Sequence, residues 1–569
     1  MDTQPVLTTH LPALVWLLAC SALVFFMQAG FAGVESGTVR AKNSINVALK
    51  NVIDLCCSFA GFFVVGFSLM FGASLVGLIG SPDLFLHGVA PFNPAGSDVY
   101  TVFPIAMFLF QATFCSTAAT IVSGGVAERC RFMAYVLVSI GIGVFIYPIY
   151  GHWVWGGGWL ARIGFHDFAG GSVVHVLGAG ITLVGIKVLG NRIGRYDDQG
   201  KPRPIAPSSM PMVAIGVMIL AFGWIGFNGG SAPLGSDTPT IIVATLLAAC
   251  FGALAVMLTG WALNGVPQAD VILNGVLGGL VAITPCANVV SLPASAAVGV
   301  AGGLAVLIGT RLMDHWRLDD AVGAVPVHGC AGIVGLLCTA LFADPHWLSE
   351  VKQMDRWTFL GIQVVGVMSC LAWSLAAGYV LWMLVGRMTH LRIGRDEELV
   401  GMNYSEHKVA DPMRELSLTL VAAARGDVRH MDFDNVRDGE LIPLARSVRE
   451  MVQHAASQRD RTRNWARLLA DVRSVISESH VSGHGSAMTA IQDIEETRRS
   501  LAAVLGILKD HSADHASVGL VAEVVRGLDH RLAEAQKNLP HVAGSLERVK
   551  ESASRLERMA GEMTSGAAT

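Results

Sequence analysis

The chain has 569 residues, 52% of them hydrophobic and only 15% charged, with a formal net charge of −4. Soluble globular proteins carry charge on roughly a quarter of their residues, so a wholly soluble protein is excluded. The mild acidity says little about partners; the distribution of charge along the chain says more.

Long apolar runs recur from Leu11 to about Gly386. About eleven approach the ~20 residues that a helix needs to cross a bilayer core. They begin near Leu11, Leu55, Phe103, Ala134, Val173, Met212, Ile241, Val271, Ala296, Val327 and Thr358. The first lacks a basic flank and is longer than the apolar stretch of a secretory leader, so it reads as a span and not as a cleaved signal. After Arg387 the long apolar runs stop and charged residues become frequent. The expected class is therefore all-α: a polytopic membrane domain over residues 1–390, followed by a helical or coiled-coil tail.

The loops set the expected orientation. Arg40, Lys42 and Lys50 follow the first span, Arg129 and Arg131 the third, and Lys187, Arg192, Arg195, Lys201 and Arg203 the fifth. Arg311 and Arg317 follow the ninth, and Arg387, Arg392 and Arg395 the last. Alternate loops, such as 81–100, are nearly free of Lys and Arg. The positive-inside rule then puts the N-terminus outside and the tail in the cytoplasm.

One arrangement is written twice. Asp167 precedes His175, and Asp320 precedes His328, by the same eight residues, in the apolar contexts GGSVVHVLGAG and AVPVHGCAGIVG. An imidazole within a span is expensive and usually functional. The two copies fall at the fifth and tenth spans. Two halves of five spans have opposite orientation, so the pattern predicts an inverted repeat, with a shared site near the midplane and the eleventh span outside it. The ten cysteines lie mostly in apolar runs without metal-ligand spacing. They read as small packing residues, adjacent Cys56 and Cys57 included. No metal, cofactor, catalytic constellation or nucleic-acid motif is indicated.

Five segments carry a resemblance: FFMQAGFAGVESGTVRAKN, FQATFCSTAATIVSGGVAERCRF, HWVWGGGWLARIGFHDFAGGSVVH, GWIGFNGGSAP and VPVHGCAGIVG. Occurring in this order, they make the membrane domain similar to the ammonium transporter (Amt/Rh) family, on its Amt side. The resemblance implies that His175 and His328 are hydrogen-bonded to each other along a narrow apolar pore. It implies that Phe114 and Phe227 stack as a gate above them, and that Trp155 and Ser231 join Phe114 in an outer ammonium site. Asp167 is implied to favour ammonium recruitment and its deprotonation; a helix-capping role is compatible with that. Asp320, at the pseudo-symmetric position, is read as a structural acid. The resemblance also implies a homotrimer in the inner (plasma) membrane, surrounded by lipid. A regulator of the PII type, or a downstream signalling protein, would meet the tail.

The physics agrees with such a pore. A charged ammonium at the bilayer centre costs from ~2.5 to over 10 kcal/mol, whereas ammonia does not carry that charge. Capture as ammonium, deprotonation at the gate and passage as ammonia follow. Three departures stand out. Gly323 occupies a place where the family usually has a second Asp, Pro326 enters the segment before His328, and Asn403 replaces a usual Asp in LRIGRDEELVGMNYSEH, the counterpart of the family's cytoplasmic segment (391–411). Residues 412–456 resemble a HAMP signal-relay module, through Pro412, Leu416, Gly426-Asp427, Asp438, Glu440, Leu444 and Met451. Residues 457–569 read as helical bundle or coiled coil, with His511 and His515 on one solvated face. The whole reads as a transporter that also senses. The alternatives are a receptor that binds ammonium and conducts little, and an ordinary transporter with an inert tail.

Overall fold

A computed structural model describes residues 4–87 and 99–409. The expected relay module and helical region beyond residue 411, with His511 and His515, lie outside the described residues. Among the described residues, ten helical runs are long and apolar enough to cross a membrane. They are α1 (Leu11–Thr38), α2 (Ala41–Phe71), α3 (Phe103–Gly125), α4 (Phe132–Arg162), α5 (Gly171–Leu189), α6 (Met210–Gly229), α7 (Thr238–Leu263), α9 (Leu292–His315), α10 (Val325–Phe342) and α11 (Arg356–Met388). The expected eighth span is the shorter α8, Ala269–Ile283. Pro285, which brings no N–H and disfavours helix in the residue before it, follows its end.

Most spans start within a few residues of the expected points. α2 does not: expected near Leu55, it begins at Ala41. Its first four turns carry Asn43, Asn46, Lys50, Asn51 and Asp54, which a hydropathy window rejects. All five are fully buried, spaced three or four residues apart on one face with Val47, Ser58 and Gly61. The outward face is the apolar one, with Val52 57% exposed. α2 is thus amphipathic with its polar side inward, as lipid demands. The reading of Cys56 as a core residue is corrected by the same geometry. Cys56 is exposed and Cys57 half-buried, because they lie off the polar face that packs.

Glycines let the helices approach closely, the usual device where neighbouring lipid gives no hydrophobic drive to associate. A Cβ on Gly33 of α1 would lie 3.2 Å from the Cα of Gly216 in α6. A Cβ on Gly303 of α9 would lie 2.5 Å from the carbonyl oxygen of Gly252 in α7.

At the end of the domain where the bases gather, the loops are tied by buried charge. Arg192 donates to both oxygens of Asp319, at 2.8 and 2.9 Å, and to Glu128, which also accepts from Arg40. Burial alone would raise the Glu128 carboxyl, but Arg192 and Arg40 overcome it and hold it at about 2. Beyond α11, two short helices, α12 (Arg395–Val400) and α13 (Met402–Ser405), dock on this end. Glu398 accepts from Ile193 N at 2.6 Å and from Arg392 at 2.7 Å. Asn43 Oδ1 accepts from Met402 N at 2.8 Å, and Asn403 Oδ1 from Asn46 N at 3.0 Å.

Candidate functional site

The duplicated motif folds as a duplicated device. Asp167 sits before α5 and accepts five hydrogen bonds, from the N–H groups of Gly170, Gly171, Ser172 and Val173 and from Ser172 Oγ, at 2.6–3.1 Å. Asp320 sits before α10 and accepts from Gly323 N at 3.0 Å and Val325 N at 2.7 Å. A helix start leaves its first amides without partners, and each Asp supplies them. α5 begins at the end opposite the basic loops and α10 at the basic end, the opposed sense expected of inverted halves. Both helices open with a π-helical turn, Gly171–Val176 and Val325–Cys330, and each turn carries its histidine. Pro326 is tolerated because it falls in the first turn, where its missing N–H breaks no ladder.

These turns bring the two imidazoles together. His175 Nδ1 and His328 Nδ1 are 3.2 Å apart, with the rings 16° from parallel. One nitrogen must donate and the other accept, which requires at least one neutral ring. His175 is fully buried, and its Nε2 has no hydrogen-bond partner among the described residues. A polar atom left unpaired in an apolar site is costly.

The structure brings Phe114, Phe227 and Trp155 together. The Phe114 and Phe227 rings stack at 3.9 Å and 13°, both buried. Phe227 lies 5.6 Å from the His175 ring. Trp155 meets Phe114 edge-on at 6.3 Å, and its Nε1 donates to the backbone oxygen of Asp167 at 2.8 Å. Ser231 donates to Phe227 O at 2.8 Å, leaving its oxygen able to accept. The Asp167 carboxylate is brought to the helix start, and only its backbone oxygen meets Trp155. Its carboxylate oxygens are taken up by its own loop.

Sequence reasoning missed several neighbours. Trp224 is fully buried, stacks on His175 at 5.3 Å and 18°, and donates to Thr284 Oγ1 at 2.9 Å. It is one helical turn before Phe227, a spacing that puts both on one face. Phe110 packs against Phe114 at 4.6 Å, and Phe31 lies 6.2 Å from His328. Glu35, 2% exposed, was visible as a lone acid late in an apolar run. Among the described residues no His, Cys, Asp or Glu cluster could hold a metal ion.

Fold and site together define a multi-pass membrane protein with two buried histidines in contact within an apolar core. The sequence profile described as the Ammonium Transporter Family matches residues 15–411. Ammonium transporter Amt2 of Archaeoglobus fulgidus is 40% identical over 414 residues, covering 69% of this chain and 86% of its own. A solved structure titled Sensor Amt Protein aligns with a TM-score of 0.66 at 35% identity, over 69% of this chain and 98% of that one. Candida albicans Mep2 aligns with a TM-score of 0.61 at 28% identity, over 68% and 87%. The chain belongs to the Ammonium Transporter Family, whose members are transport proteins and not enzymes.

Proposed function

We propose that this chain is an ammonium transporter that doubles as a sensor. Ammonium docks among Trp155, Ser231 and Phe114, where aromatic faces attract a cation by ~0.5–2 kcal/mol and the Ser231 oxygen accepts one of its hydrogens. Removing a proton at the Phe114–Phe227 stack leaves ammonia, which hydrogen-bonds to the histidines as it passes. Asp167 assists through its negative field and by fixing Trp155. The tail beyond residue 411 reads occupancy or flux on the cytoplasmic side, in a trimer in the plasma membrane. A PII-type regulator or another signalling protein receives the output. The observation that carries this reading is the 3.2 Å histidine contact beneath a stacked phenylalanine pair, with His175 Nε2 unpartnered among the described residues.

The test is current from purified protein in proteoliposomes on a solid-supported membrane after an ammonium jump. A sustained ammonium-specific current, lost in His175→Ala, is expected. A brief binding-sized charge displacement without a sustained component would favour the second reading, a receptor that conducts little. Gly323, Pro326 and the 35% identity to a protein titled Sensor Amt Protein favour that reading. An unchanged current in His175→Ala would remove the histidine path altogether.

A further inference from the structure

Asp54 lies midway along α2, fully buried in a polar network with α1, α3 and α4. Its hydrogen-bond partners are distinct from those of the two histidines. Oδ1 accepts from Gln28 Nε2 at 2.7 Å and from Thr120 Oγ1 at 3.0 Å, and Oδ2 lies 2.6 Å from the Tyr135 hydroxyl. The same hydroxyl lies 3.0 Å from the backbone oxygen of Ala119. A phenol carries one hydrogen, yet two acceptors are within its reach. If Asp54 is ionised, Tyr135 donates to it. If Asp54 carries a proton, Oδ2 donates to the Tyr135 oxygen and Tyr135 donates to Ala119 O. One hydrogen turns between the two arrangements, and no heavy atom has to move.

The surrounding charges leave both arrangements open. Asp54 forms no ion pair among the described residues, so no fixed cation locks it in one state. Lys50, one turn earlier on α2, donates to Cys130 O at 2.6 Å, and Cys57 lies three residues further on. Glu35 of α1 accepts from Asn51 at 2.9 Å and from Ser123. Glu406, next to α13, accepts from Asn46 at 2.9 Å and from Phe132 N at 3.0 Å. From α3 the Thr120 hydroxyl reaches Asp54, and from α4 the Tyr135 hydroxyl.

We propose that Asp54 is a proton-binding site inside the membrane domain, separate from the histidines, with Tyr135 as the hydrogen-bond partner that serves both of its states. The ligand is a proton taken from water. An O–H bond forms at Oδ2, no other bond breaks, and the carboxylate charge is neutralised; release returns the proton to water. The inward face of α2 that carries Asp54 also carries Asn46 and Asn43, which hold Asn403 and Met402. The change of charge therefore falls on the helix that anchors the docked segment. The proposal does not depend on which species the protein transports.

The experiment is infrared difference spectroscopy of the full chain in lipid nanodiscs during a pH titration without ammonium. Wild type should show a carbonyl stretch of a protonated carboxylic acid that grows as pH falls and reverses as it rises. Asp54→Asn should lose that band, and Glu35→Gln should keep it. Tyr135→Phe should shift its frequency, because the acid's partner is gone. An asparagine can donate to Tyr135 as the protonated acid does, so Asp54→Asn should fold, as size-exclusion profiles would establish. Should it not fold, the shift in Tyr135→Phe identifies the band. The site is overturned if wild type shows no reversible band, if the band survives in Asp54→Asn, if it is lost in Glu35→Gln instead, or if Tyr135→Phe leaves it unmoved. None of these outcomes touches the proposed function, which the ammonium-jump current tests by itself.

Discussion

Asp167 shows how a single residue can aim a histidine without touching it. Its five hydrogen bonds fix the first turn of α5, and that turn aims His175. Each buried amide left without its acceptor costs ~1–3 kcal/mol. Asp167→Ala should therefore lower the unfolding midpoint sharply in detergent, and Asp167→Asn by less, because one oxygen remains to accept from Gly170 and Gly171. Equal midpoints for wild type and Asp167→Ala would show that the cap is dispensable. Trp224 makes a complementary case. It stacks on His175 and donates to Thr284, so Trp224→Phe should keep most of the packing and lose the positioning bond.

At the scale of elements, α2 and the docked helices α12 and α13 form one joint. Asn403 is instructive because its amide works in both directions, accepting from Asn46 N and donating to Ala41 O at 2.9 Å. An aspartate could only accept, so the family's usual residue would lose the second bond here. Asn403→Asp should speed hydrogen exchange across 395–406 while leaving the exchange of α5 and α10 unchanged; equal exchange of that segment in both proteins would refute the coupling. This joint was only half legible in the sequence. The apolar runs announced their helices, and the Asp–His spacing announced the paired turns. The start of α2 was hidden because its polar residues face inward, and hydropathy counts polarity without direction. The network at Asp54 was hidden for another reason: its partners come from α1, α3 and α4, which only the fold brings together.

At the scale of the molecule, the basic end is held by charge sequestered from solvent. Glu128 has a carboxyl held at about 2 against an ordinary 4.5. A carboxyl depressed in the folded state contributes its full stability above its unfolded value, and that contribution is lost as pH falls toward the folded one. Thermal stability should therefore fall between pH 4.5 and about 2. Removing one partner of a buried pair costs ~3–5 kcal/mol, so Glu128→Gln should be less stable at neutral pH and less sensitive to acid. Parallel acid profiles for the two proteins would remove Glu128 from this account. The same cluster joins loops from both halves of the repeat, through Glu128 and Arg192 on one side and Asp319 on the other.

The wide turns at the two histidines have an arithmetic consequence. A π-helical turn accommodates one residue more than an α-helical turn, so the imidazole contact depends on a surplus residue as much as on the imidazoles. Deleting Val174 would leave both histidines in the chain, yet it would tend to restore the ordinary pitch of α5 and remove the wide turn that carries His175. Two proteins with the same residues lining their passages could then differ completely in permeability, through a difference of length and not of chemistry.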